Sequence, residues 1–152
     1  MDRYTSLKTQ FPELAKLSKE TLDECFRHRS CPLKSRQKRD NRILAQIGDS
    51  ALLLFERLAA EKRFVEARDL HNHTELFKTN KRLAEIGRKM QLEQYMETAY
   101  GVFINDVMIA TCVEALVGAV SRSSYKRGVA FWRSIRVLDL PSLDEWEITE
   151  TN

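Results

Sequence analysis

Apolar residues recur at three- and four-residue steps along most of this chain, and no segment alternates apolar with polar residues long enough to predict a strand. Only 5 glycines and 3 prolines punctuate the 152 residues, so the pattern predicts an all-α helical bundle. Leu17 before Ser18, with Leu22 following, has the form of a hydrophobic staple around an N-cap and opens a helix that runs to about Arg29. Residues 31–40 then read as a polar, basic loop. From about Asn41 to Lys62 the positions Ile43, Leu44, Ile47, Ala51, Leu54 and Leu58 mark one buried face of a long helix. Leu52, Leu53 and Phe55 widen that face and place the helix at the centre. Further helices are predicted at about 67–78, after Asn80 with Leu83, Ile86 and Met90 on one side, and at 107–120. A last amphipathic helix, about Tyr125 to Val137, carries Val129, Trp132 and Ile135 ahead of an acidic tail.

The 107–120 stretch is nearly all apolar apart from Thr111 and Glu114. A carboxylate in such a segment needs a reason, because a buried unpaired charge is costly. The hydrophobic content of 43% suffices for a core, and a net charge of +3 permits nucleic acid without demanding it. Cys25, Cys31 and Cys112 form neither an even disulfide set nor a zinc or redox pair, which points to reduced thiols inside a cell. No apolar run approaches the roughly 18 residues that span a bilayer. A soluble, intracellular protein with no membrane partner is expected, with cytoplasm and mitochondrion both open.

Several blocks, in order, resemble the ribonuclease III family. They are Phe26-Arg27-His28-Arg29-Ser30, the run from Asn41 through Gly48-Asp49 to Leu52, Thr79 to Ile86 with its Asn80, Leu83 and Ala84, and Ile109 to Ala119 with Glu114-Ala115-Leu116. The resemblance covers about residues 18–138. It implies a ribonuclease III endonuclease-domain-like helical bundle there, with residues 1–17 as an N-terminal segment and 139–152 as an acidic tail. A following double-stranded-RNA-binding domain is not expected within these residues.

The resemblance also implies a site. In active members, carboxylates on two helices hold magnesium ions that activate water and clamp the scissile phosphate. The matching positions here are Arg42, Ala45 and Asp49 on one helix and Thr111 and Glu114 on the other, so Asp49 and Glu114 are the acids retained. Arg42 is expected to reach Asp49 and stand in for missing metal charge. This favours an impaired, RNA-binding scaffold. The alternative is an active magnesium-dependent nuclease of duplex RNA, with Asp49 and Glu114 as catalytic residues and metal ligands, joined by Asp40 or Asp106.

Active members are homodimers, and an aromatic knob in the signature helix inserts into the partner. That position is Gln46 here, flanked by Ile43 and Ile47. A homodimer is still expected, since the apolar face of the 43–58 helix is broad for one small domain to cover, and the missing knob opens the alternative of a heterodimer with a related domain that supplies it. Lys34, Arg36, Lys38 and Arg39 form one basic stretch for duplex or structured RNA, and Lys78, Lys81, Arg82, Arg88 and Lys89 a second. Lys126, Arg127, Arg133 and Arg136 form a third. His28 reads as a hydrogen-bonded structural residue, His71 and His73 as surface or capping residues, and Trp146 as a docking group on the domain or a partner.

Overall fold

The computed structural model describes residues 2–32 and 39–138. Lys34, Arg36, Lys38, the tail and Trp146 lie outside that range. Among the described residues there are seven α-helices and no strand: α1 (Thr5–Gln10), α2 (Lys19–Phe26), α3 (Arg42–Ala60), α4 (Ala67–Glu75), α5 (Asn80–Lys89), α6 (Asp106–Ser123) and α7 (Tyr125–Arg136). No helix among them is long and apolar enough to cross a membrane. The helix starts follow side-chain chemistry. Ser18, Thr79, Asn105 and Ser124 each accept a backbone N–H from the first turn of α2, α5, α6 and α7, respectively.

The centre of the fold is the pairing of α3 with α6, the most extensive contact between any two helices, with α5 and α7 also packed on α6. Two glycines set how closely the central pair approaches. A Cβ at Gly48 would fall 1.7 Å from the carbonyl oxygen of Glu114, and one at Gly118 would fall 2.0 Å from that of Leu44. Backbone therefore lies against backbone at the crossing. α6 is buried on nearly every side, which explains why its sequence shows no polar face.

The sequence misassigns the faces of α3. Leu44, Ala45, Gly48, Leu52, Phe55 and Glu56 point into the core, whereas Ile43, Ile47, Leu54 and Leu58 are 46%, 37%, 46% and 48% exposed. Both stripes are apolar, so periodicity alone could not choose between them. Glu56 is 2% exposed and accepts the indole N–H of Trp132 at 2.6 Å, with the Arg136 guanidinium 3.1 Å away. A buried carboxylate held by two donors ties α3 to α7.

The boundary expected at residue 18 does not coincide with any change in packing. Tyr4, Leu7, Leu14 and Leu17 are buried in the same core as Leu22 and Phe26, and Tyr4 stacks on Phe26 with its hydroxyl donating to Asp23 at 2.5 Å. α2 stops at Phe26, three residues sooner than expected. Arg27 turns to extended backbone and pairs with Glu97 in a parallel bridge. Asn41 then donates its side-chain amide to the Cys25 carbonyl at 3.2 Å, pinning the start of α3 to the end of α2. Cys25 and Cys112 are buried, and burial pushes both thiols well above their ordinary range.

Candidate functional site

Because Gly48 lies against the Glu114 carbonyl, its neighbour Asp49 is carried to the side of Glu114. The first halves of α3 and α6 thus enclose an open cleft of about 400 Å³ lined by Arg42, Ile43, Ala45, Gln46, Asp49, Thr111 and Glu114. All five positions implied by the resemblance meet there, on facing helices. The two acids are close enough to repel. Glu114 is pushed up to about 7, first by burial and second by the charge on Asp49, with Lys78 pulling the other way.

Lys78 is the residue the sequence did not assign to the site. It ends the 3-10 turn after α4, and its Nζ lies 3.4 Å from Asp49 Oδ1 and 3.6 Å from Glu75. Arg42, expected to supply this charge, does something else. Its guanidinium grips Asp40 at 2.8–3.1 Å, and Asp40 is held below the usual carboxylate range mainly by that contact. The pair forms because Asp40, two residues earlier, is already turned back to accept the Arg42 backbone N–H at 3.0 Å. A neighbour fixed by the helix start outcompetes Asp49, two turns along α3.

Thr111 donates its hydroxyl to the Val107 carbonyl of its own helix at 2.8 Å. Asp106 sits at the start of α6 but does not line the cleft, because it pairs with Arg88 on α5. Several cations of the basic stretches are likewise occupied. Arg39 bonds Glu24 at 3.0 Å, Arg82 lies over the Phe77 ring at 5.9 Å, and Arg136 serves Glu56, whereas Lys81 is exposed. His73 is not on the surface as expected. It is buried between Phe64 and Phe77 and forms no metal pair with exposed His71. His28 behaves as expected, its Nδ1 accepting the Ser30 N–H at 3.1 Å.

This donor set does not fit a magnesium pair. Magnesium requires several hard anionic oxygens. Two carboxylates face the cleft, one already carries an ammonium group, and Ala45 and Thr111 add no charge. No group of three or more potential metal ligands occurs among the described residues.

No protein-family profile matches the chain, and no curated protein matches it by sequence. Solved structures do match. A structure of the nuclease domain of ribonuclease III from Campylobacter jejuni, which addresses flexibility in a region involved in dimer formation, aligns with TM-score 0.79 over 91% of this chain and 99% of that one at 16% identity. A 2.2 Å crystal structure of the same nuclease domain aligns with TM-score 0.74 over 90% of this chain and 97% of that one, again at 16% identity. The chain therefore has the all-α fold of the ribonuclease III nuclease domain.

Proposed function

We propose that this protein is a duplex- or structured-RNA-binding subunit built on the ribonuclease III fold, with an acidic site too depleted for magnesium-dependent cleavage. The observation that carries this reading is the Lys78 ammonium on Asp49, in a cleft where Ala45 and Thr111 replace acids. A resident cation neutralises charge that a metal site would keep available. Duplex RNA is recognised through backbone and shape, for which a mildly basic surface is suited.

The exposed stripe Ile43, Ile47, Leu54 and Leu58 supports a dimer, since four large apolar side chains on one helix face invite cover. Gln46 projects from the same region in place of an apolar knob, which favours a partner that supplies its own, either a second copy or a related domain.

The second reading is a magnesium-dependent endonuclease with a reduced site. Asp49 and Glu114 facing the same cleft support it, because two carboxylates on facing helices can share one divalent ion. Incubating a long labelled RNA duplex with the purified protein and magnesium or manganese, beside an Asp49→Asn/Glu114→Gln double variant, separates the two. Duplex binding by both proteins without cutting is expected. Metal-dependent cutting lost in the double variant would establish the nuclease instead.

A further inference from the structure

A second cavity of about 390 Å³ opens beside the cleft, between the end of α2, the start of α3 and the loop that leads into α6, with Arg42 and Thr111 lining both. Its apolar wall comes from Val102, Val107 and Met108. Phe103 stands on its rim, 91% exposed. The loop carrying Phe103 is anchored upstream. The Ala99 N–H donates to Ser30 Oγ at 3.0 Å, and the Glu97 N–H donates to the Phe26 carbonyl at 2.8 Å. An aromatic ring displayed on a tethered loop beside a cavity is a surface for something to stack on.

The polar lining sets the charge of that ligand. Arg29, Arg42 and His28 line the cavity and no carboxylate does, but Asp40 holds the Arg42 guanidinium, so among the described residues Arg29 is the cation left to meet a ligand. Arg29 has no ion-pair partner among the described residues, and burial together with Arg29 lowers His28. Asn41 lines the cavity as well. It is 1% exposed, and its Oδ1 has no hydrogen-bond partner among the described residues.

An aromatic face, an apolar wall, the Arg29 guanidinium and an unsatisfied amide oxygen together match a flat heteroaromatic ring joined to a phosphodiester. The volume lies within the roughly 300–1,000 Å³ of small-ligand sites. Bases stacked inside an A-form helix cannot enter such a site, whereas bulged or terminal ones can. We infer that this cavity is a subsite for one unpaired nucleotide of an RNA strand whose duplex portion lies along the adjoining cleft. The inference rests on the RNA-binding reading above and adds to it a preference for duplexes with an unpaired base.

The test is equilibrium binding of the full chain to two fluorescent RNA duplexes, one blunt and fully paired, the other with a single bulged 2-aminopurine. The bulged duplex should bind roughly tenfold more tightly, the scale of one base stacked on an aromatic ring. Phe103→Leu should abolish that preference and leave blunt-duplex affinity unchanged, whereas Phe103→Trp should keep it. Arg29→Gln should weaken the bulged duplex more than the blunt one. Equal affinity of the wild-type protein for both duplexes would overturn the inference while sparing the RNA-binding reading. Failure to bind either duplex would overturn both. Tighter binding of a free nucleoside monophosphate than of the bulged RNA would reassign the cavity to a small molecule. A Phe103→Leu protein that changes only its oligomeric state would reassign it to a second copy of the chain.

Discussion

Gly48 and Gly118 face each other where α3 crosses α6, each standing where the opposing backbone leaves no room for a methyl group. The spacing of the cleft follows from that contact, because Asp49 and Glu114 flank it. Helix propensity alone would make Gly48→Ala more stable by about 1 kcal/mol. The crossing reverses the sign, since the new Cβ must push two backbones apart at a typical cost of about 1–3 kcal/mol or more. Thermal unfolding by circular dichroism should show a lower Tm for Gly48→Ala and for Gly118→Ala. A rise in either would mean that the helices do not meet so closely.

The Glu56 cluster makes a second prediction. Trp132→Phe removes one donor and leaves the Arg136 contact, a loss of about 1–3 kcal/mol. Glu56→Ala strands both donors and should cost about 3–5 kcal/mol. Urea titration should rank the variants in that order, and equal losses would show that the carboxylate carries no more than the indole hydrogen bond.

Glu114 gives the cleft a dependence on pH. Its folded pKa, about 7, lies above the ordinary 4.5, so the folded chain holds a proton that the unfolded chain releases. Stability from this group is present at low pH and is lost as pH rises from about 4.5 through 7. Glu114→Gln should therefore stabilise the fold at pH 8 and leave it nearly unchanged at pH 4.5. Asp49→Asn should lower the Glu114 pKa, read by carboxyl NMR, and Lys78→Met should raise it. No response to Lys78→Met would remove the ammonium from the site's electrostatics.

His73 acts in the opposite sense. Burial lowers its pKa below 6.5, with Arg63 and Arg136 adding to the effect, so the folded chain excludes a proton that the unfolded chain accepts. Its contribution is complete above about 6.5 and is lost as pH falls. His73→Phe, which keeps a ring between Phe64 and Phe77, should flatten the acid limb of the stability profile below pH 6. An unchanged limb would assign it to other groups.

The exposed face of α3 predicts association. Ile43→Asp and Ile47→Asp should lower the sedimentation mass of a dimer to that of a monomer without lowering helicity, because neither side chain supports the core. A wild-type protein that sediments as a monomer at all concentrations would direct attention to a different partner chain.

The parts of this molecule that were legible in its sequence share one property, that their signal is local. Ser18 with Leu17 and Leu22 is a three-point signature within one turn, and the start of α2 lies where it indicates. Asp49 and Glu114 were implied by the family resemblance, which is carried by contiguous blocks each lying on a single helix. The choice of face on α3 was not legible, because Leu44 and Leu52 cannot be told from Ile43 and Leu54 by period or by chemistry. Lys78 was not legible either. It reaches Asp49 across 29 residues of chain, through the turn after α4, and no pattern in sequence encodes that meeting. Arg42 was assigned the wrong partner for the converse reason, since a competitor two residues away was overlooked in favour of one on the expected helix face.

A charge carried on the protein differs from a bound ion in that nothing in solution can withdraw it. The ammonium of Lys78 is present at Asp49 whatever the divalent-ion concentration, and a chelator has nothing there to take. On the proposed reading, RNA affinity answers only to the ions that screen the phosphates, and EDTA at constant ionic strength leaves it intact, whereas the same chelator would switch off a metal-dependent relative.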